Sequence, residues 1–322
     1  MRSLSLMMLA VAASVLLTSA AGAQNYPTRP VRIIVPFGAG GIGDITTRLI
    51  AEKLGDRLGE RFIVDNQPGA GGIAAARSVL AAPADGYTLA LVTNGTAISV
   101  PLFKSLPFDP VKDFAPISGF SLFDLTFTTN AAGPYATLGD FLKEARAKSG
   151  KLNVGTINVG STQNLGAELL RATAAIDVAI VPYRTTPDTV IALLRNDVQL
   201  AIEYYATMKA GIEDGKLRLL ATSGEKRSEF SPNAPTVAET GVPGYEVRSW
   251  NALFAKAGTA PDIIARLNQA VRDVVMLPDI RMRMLELGLE AQAGPPEEIA
   301  ARLKSDIAKW TKVIDDAHIP KL

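Results

Sequence analysis

The chain has no cysteine, one histidine and two tryptophans. Without cysteine there are no disulfides, no thiolate nucleophile, no thiolate metal site and no lipid-bearing cysteine at a processing point. With His318 as the sole imidazole, a metal centre would need carboxylates alone, and no acidic cluster has suitable spacing. The 33 basic and 32 acidic residues leave a formal net charge of +1. That balance supplies no global field for nucleic acid or an anionic membrane surface. Runs of like charge and low-complexity segments are also missing. No apolar stretch free of charges reaches the about 20 residues that a membrane-spanning helix needs.

The first residues carry an export signal. Arg2 gives a basic start, "LSLMMLAVAASVLL" an apolar run of about 14 residues, and "SAAGAQ" places Ala21 and Ala23 in A-x-A spacing. Cleavage after Ala23 would release a soluble periplasmic protein of about 300 residues, long enough for two domains with ordinary cores.

Strand-like apolar runs alternate with helical patterns along nearly all of this length. Strands are expected at Val31–Val35, Phe62–Val64, Tyr87–Val92, Leu152–Gly155, Val178–Val181, Gln199–Ile202 and Leu217–Ala221. Amphipathic segments such as "DITTRLIAEKLGDRL", with Ile45, Leu49, Leu54 and Leu58 at helical spacing, lie between them. Such alternation predicts α/β architecture with parallel sheets covered by helices, and ligands at the carboxyl ends of the strands. Two long β-rich segments, Pro116 to Asn130 and Tyr245 to Gly258, read as crossings between two lobes. The expected division is a signal at 1–23, a discontinuous first lobe at 24–122 plus 247–322, and a second lobe at 123–246.

Each lobe has a glycine-bearing loop that opens a helix. In the first, "RIIVPFGAGGIGD" places Gly38, Gly40 and Gly43 at G-x-G-x-x-G spacing, and Asp65 follows about 20 residues later. This outlines a dinucleotide fingerprint. Three details oppose that reading. Pro36 and Phe37 intervene between strand and first glycine, the helix is expected to begin near Asp44, and the protein leaves the cytosol. In the second lobe, "KLNVGTINVGSTQNLGAELL" offers a strand, a loop and a helix capped by Ser161 or Thr162. A helix start leaves backbone N–H groups unpaired and carries partial positive charge, so it can hold an anion without a cationic side chain. Two such starts facing across a cleft would grip one carboxylate.

The blocks "YPTRPVRIIVPFGAGGIGDITTRLIAEKLGDRLGERFIVDNQPGAGG", "AAPADGYTLALVTNGT", "LFKSLPFDPVKDFAPIS", "VPYR" and "SWNALFAKAGTAPDIIARLN", in this order, closely resemble the Bug/TctC-type periplasmic solute receptors of tripartite tricarboxylate transporters. The resemblance implies a two-lobed Venus-flytrap, with a parallel-rich sheet in each lobe and two crossover strands. It implies a small organic acid held between the loops Phe37–Asp44 and Thr156–Gln163, delivery to membrane permease subunits, and no cofactor. The protein is expected to be a monomer. Four departures from the usual pattern bear on which acid is taken. Gly38 replaces a proline, Gln163-Asn164 stands where a histidine is common, "VPYRTTPD" replaces "VPYK-G-G", and "IEYY" replaces a strand ending in F-D.

Candidate ligand-binding residues follow, each with a structural alternative. Gly38, Ala39, Gly40 and Gly41 let backbone approach a ligand or simply make a turn. Phe37 covers a carbon skeleton or joins the core. Asp44 positions a water or caps the helix. Thr93, Asn94 and Thr96 end a third strand with polar groups or serve a local turn. Gly160, Ser161, Thr162 and Gln163 form the second helix start. Arg184 pairs with a second carboxylate or is a solvated surface residue. Glu203, Tyr204 and the adjacent Tyr205 line the pocket or pack at its edge. Trp250 is expected to pack at the hinge.

A catalytic role is not expected. "SGEK", Ser223 to Lys226, matches S-x-x-K, but the partner motifs S-D-N and K-T-G are missing and nothing places His318 near a serine. An exported serine hydrolase remains the remote alternative. A carboxylate-sensing receptor for a signalling partner is the nearer one, since both roles begin with ligand-driven closure.

Overall fold

A computed structural model describes residues 26–322. The signal segment and its cleavage point lie outside the described residues. The first half comprises β1 (Val31–Val35), α1 (Ile42–Leu58), β2 (Phe62–Asn66), α2 (Ile73–Ala81), β3 (Thr88–Thr93) and α3 (Asn94–Leu102). A 17-residue strand β4 (Phe114–Asn130) follows. Next come α4 (Leu138–Ala147), β5 (Asn153–Ile157), α5 (Thr162–Thr173), β6 (Ala179–Tyr183), α6 (Thr186–Leu194), β7 (Leu200–Tyr204), α7 (Tyr205–Glu213) and β8 (Leu217–Thr222). The chain returns through β9 (Arg248–Lys256) and ends with α8 (Pro261–Val275), α9 (Pro278–Glu286), β10 (Leu289–Ala291) and α10 (Pro296–Asp316).

Local chemistry explains the element ends. Thr137 and Thr93 each open a helix through a capping box, with Asp140 and Thr96 as the reciprocal partners. Gly59, at φ 81°, ends α1 in the left-handed region that favours glycine. Pro261 sits in the first turn of α8, and Leu267, Val271 and Val274 recur on its buried face. In β1, Ile33, Ile34 and Val35 are all fully buried, as expected of a strand covered on both faces.

The strand order is β2-β1-β3-β9-β4-β7-β5-β6, with β8 and β10 also paired to β4. Strands β1, β2 and β3 are mutually parallel, and so are β5, β6 and β7. The crossings β4 and β9 are antiparallel to their neighbours, so the sheet is mixed where strand–helix alternation alone predicted parallel pairing. The two crossings neighbour each other, and one carries the chain out to the second half while the other brings it back, so they run in opposite directions.

This pattern fixes where the strand ends point. Strand β4 first pairs with β9, over Phe114 to Asp124, and then with β7 and β8, over Leu125 to Asn130. The second half therefore lies beyond the first along the direction of β4. Strand β3 is antiparallel to β9, which is antiparallel to β4, so the β1–β3 group runs toward the second half. Strand β7 is antiparallel to β4, so the β5–β7 group runs back toward the first. The carboxyl ends of both parallel groups thus face each other.

A continuous core joins the halves, running from Ile34 and Val92 through Leu125, Phe127 and Tyr245 to Leu200 and Ile202. At the change of partners, buried Asp124 accepts a 2.8 Å bond from Arg248 Nε and another from Ser228 Oγ. Ser223 Oγ bridges Leu125 N–H and Val247 C=O close by. The serine of the S-x-x-K match is thus fully buried and ties the crossings together.

Removing Asp124 leaves Arg248 with Glu290 as its remaining partner and strips Ser228 Oγ of its acceptor, at a cost of about 2 kcal/mol. Asp124→Ala should therefore lower the urea midpoint by that equivalent at an unchanged m-value, read by far-UV circular dichroism. A midpoint equal to the parent's would remove the pair from the stability of the crossing.

Candidate functional site

The first loop, Phe37 to Gly41, is exposed throughout. Helix α1 begins at Ile42, two residues before Asp44 and ahead of the last glycine, and Gly41 is its N-cap with no side-chain cap. The N–H groups of Ile42 and Gly43 therefore have no intrahelical acceptor. Gly40, at φ +85°, has open space where a Cβ would project. The Phe37 ring covers Gly43, whose added Cβ would meet it at 3.0 Å, and remains 40% exposed at the loop surface.

Asp44 is neither the cap nor free to hold a water alone. Its carboxylate accepts from Gly40 N–H, Arg48 Nε and Asn66 Nδ2, each at 2.9 Å. Burial by itself would raise this carboxyl, but those hydrogen bonds outweigh it and hold the group below the ordinary carboxylate range. Asn66 also donates to Phe37 C=O at 3.0 Å. Arg48 and Asn66 are loop-holding residues that sequence reasoning missed. The four-residue spacing of Asp44 to Arg48 was a readable signal; Asn66 comes from another strand and had none. Asp65, the acid of the dinucleotide outline, pairs with Arg32 across adjacent strands.

The second helix start repeats the first. Gly160 adopts φ +83°, and its N–H donates to Asn164 Oδ1 at 3.2 Å, as Gly40 N–H does to Asp44. Ser161 is the N-cap of α5, with Oγ accepting from Asn164 N–H. Val159, 54% exposed, is the apolar counterpart of Phe37 on this loop.

At the third strand end, Thr93 and Thr96 are committed to the capping box of α3. Asn94 is 1% exposed and joins the halves. Its Nδ2 donates to Thr162 Oγ1 at 3.2 Å, and its Oδ1 accepts from Trp310 Nε1 of α10 at 2.8 Å. The tip of Leu102 lies 2.6 Å from where a Cβ on Gly160 would be. The two halves therefore touch at the strand ends, in a closed arrangement.

Gln163 turns inward. Its Nε2 donates to Glu203 Oε2 at 3.1 Å, and Thr186 Oγ1 donates to Glu203 Oε1 at 3.0 Å. Glu203 is fully buried, and burial pushes its carboxyl up to about 7 against the pull of Gln163, Thr186 and the Tyr204 N–H. Burial also raises the Tyr204 phenol to about 12, opposed by bonding to Ser249 and Thr162. The Tyr204 ring meets Phe123 edge-on at 4.8 Å, whereas Tyr205 turns to Phe230 at 4.4 Å. Arg184 is exposed beside Thr185, the N-cap of α6, and takes part in none of the ion pairs among the described residues. Trp250 is buried on β9, its Nε1 donating to Asp306 at 2.6 Å, and His318 is exposed near the chain end.

A separate cavity of about 330 Å³ opens behind the crossings, among Leu122, Trp250, Ile299 and Arg302. Among the described residues no group of three His, Asp or Glu side chains is placed to hold a metal, and no helix is long and apolar enough to cross a membrane.

The arrangement offers unpaired amides from two helix starts, at the facing carboxyl ends of two parallel strand groups. The profile of the tripartite tricarboxylate transporter family receptor, TctC, matches residues 46–319. The chain belongs to this family. Among its TctC relatives, Protein BugT of Bordetella pertussis is 30% identical over 294 residues, covering 91% of this chain and 90% of that one. A protein from the tcbD-tcbE intergenic region of Pseudomonas sp. strain P51 is 31% identical, with 92% and 90% covered. An R. palustris protein solved with adipate superposes with a TM-score of 0.85 at 33% identity, covering 92% of this chain and all of that one. MatC from Rhodopseudomonas palustris, with bound malate, gives 0.80 at 30% identity, covering 90% of this chain and all of its own. The TctC chain thus has the two-lobed α/β fold of periplasmic binding proteins, in a family of solute-binding receptors.

The raised Glu203 carboxyl makes the folded state bind a proton that the unfolded state releases between pH 4.5 and about 7. Stability from this group is therefore lost as pH rises through that window, by about 3 kcal/mol in all. Glu203→Gln should narrow the difference in Tm between pH 5 and pH 8, measured by differential scanning calorimetry. An unaltered difference would show that Glu203 does not titrate there.

Proposed function

We propose that this protein captures a small organic carboxylate between its lobes in the periplasm and delivers it to the membrane subunits of a tripartite tricarboxylate-type transporter. One observation carries the reading: two helix starts, each preceded by a left-handed glycine, stand at strand ends that face each other. A carboxylate there would accept charge-assisted hydrogen bonds from both, at about 1.5–3 kcal/mol each. Because each lobe supplies part of the grip, the ligand favours the closed form and shifts the hinge equilibrium.

We place the lobes at 24–122 plus 247–322 and at 123–246. The switch of β4 from β9 to β7 and β8 between Asp124 and Leu125 supports that boundary. The direct contacts are assigned to Phe37, Gly38, Ala39, Gly40 and Gly41 in one lobe and to Gly160, Ser161 and Thr162 in the other. Asp44, Gln163, Glu203 and Tyr204 shape the pocket from behind. Thr93 and Thr96 set the start of α3, and Asn94 latches the closed state. Arg184, free of ion pairs, is the group for a second carboxylate. Adipate and malate, bound by two relatives, are both dicarboxylates, which supports that assignment. A monomer suffices, since both grips come from one chain.

A thermal-shift and calorimetry panel of adipate, malate, citrate, glutamate and benzoate should yield at least one binder, recovered chemically unaltered. Gly40→Val forces a β-branched residue into the left-handed region, at about 1–2 kcal/mol of local strain. It should weaken that binder at least tenfold while the protein stays folded. Full affinity in this variant would take the first loop out of the site.

Arg184→Ala should weaken dicarboxylates roughly tenfold more than monocarboxylates, as loss of one charge-assisted bond predicts. Titration of a matched pair, adipate and hexanoate, measures this. Equal losses would deny Arg184 the second carboxylate.

A further inference from the structure

Three acidic side chains are buried among the described residues: Asp44, Asp124 and Glu203. Asp44 is paired with Arg48 and Asp124 with Arg248. Glu203 has no cation. Its carboxylate accepts only from neutral donors, Gln163 Nε2 on α5, Thr186 Oγ1 on α6 and the Tyr204 N–H. From β4, Thr126 donates its hydroxyl to the Glu203 backbone carbonyl at 2.8 Å. The Tyr204 phenol is the one titratable neighbour that feels its charge. No guanidinium or ammonium faces it from α5, α6, β4 or β7.

Glu203 stands directly behind the second helix start. Gln163 is the second residue of α5, so its backbone N–H belongs to the set that would hold the ligand, while its side chain holds Glu203. An anion arriving on the outer side of that turn meets a like charge on the inner side. Two anions sharing a poorly solvated site cannot both stay ionised cheaply, and one acquires a proton. At the first helix start Arg48 offsets Asp44, so no such conflict arises. At the second, protonation is the available relief. A protonated Glu203 can donate to the Gln163 carbonyl, which turns the amide NH2 outward, toward the incoming charge.

We propose that capture of a carboxylate at the start of α5 is coupled to uptake of one proton by Glu203, which acts as a positioning residue through Gln163. The inference rests on the carboxylate reading of this site. Burial already brings the Glu203 carboxyl to about 7, so the proton is exchanged near neutral pH. The receptor is then more retentive in mildly acidic surroundings, and it releases a proton with its ligand.

The test is titration calorimetry of the wild-type protein with the acids of the panel above, at pH 7.5 in HEPES and in Tris. These buffers have different ionisation enthalpies, and carboxyl groups of the ligand are already ionised at that pH. The expected result is net uptake approaching one proton per ligand, with Kd weakening about tenfold per pH unit above pH 7.5. Glu203→Gln should abolish both the uptake and the pH dependence, while retaining binding at pH 8.5. Thr186→Val, which removes one donor to the ionised form, should move the onset of the dependence to higher pH. Binding without proton uptake in the wild type, or an unmoved profile in both variants, would overturn the inference and leave the carboxylate reading standing. Failure of every acid to bind would overturn both.

Discussion

The antiparallel pairing of β4 with β9 is the constraint on which the other features depend. Because β4 leaves that ladder at Asp124 and continues as a partner of β7 and β8, one strand belongs to both halves of the sheet. Strand direction is conserved along it. The two parallel groups must therefore run toward each other, and the loops that follow β1, β3, β5 and β7 must meet. The closed contact of Asn94 with Thr162 is the local outcome of that global geometry.

Both halves then solve the same local problem in the same way. A glycine in the left-handed region turns the chain, the next residue caps the helix, and the third helical residue reaches back to the glycine N–H. In the first half that third residue is Asp44, and in the second it is Asn164. The difference is electrostatic. The first start contains an anion and its neutralising Arg48; the second contains a neutral amide, with the buried Glu203 one layer deeper. The helix α10 braces this region from outside, since Trp310 holds Asn94 while Asp306 holds Trp250 on the crossing strand. The C-terminal helix thus ties the end of β3 to the crossing strand β9.

Much of this could be read from residue order. The strand runs fell within one or two residues of the observed strands, most clearly in β1 and β3, where burial on both faces demands continuous apolar residues. The helix at Pro261–Val275 was legible to its ends, from a proline at its start and an apolar stripe along it. The glycine loops were legible too, since left-handed backbone limits the residues that can occupy a position. The roles of Asp44 and Gln163 were not. Asp44 looked like a cap, yet the helix begins two residues earlier and its carboxylate is taken up by Arg48, Asn66 and Gly40. Gln163 and Glu203 both looked like pocket residues. They satisfy each other across 40 positions of chain, a pairing that no local pattern encodes.

The sequence by itself determined the alternation of strands and helices, the two glycine turns and the family to which the chain belongs, because these follow from backbone conformational limits and from periodic burial. Tertiary structure alone decided which polar side chains stay at the loop surfaces and which are consumed inside the protein. That choice depends on which donors and acceptors arrive together when distant segments pack, and a buried polar group takes whatever partner folding brings within about 3 Å.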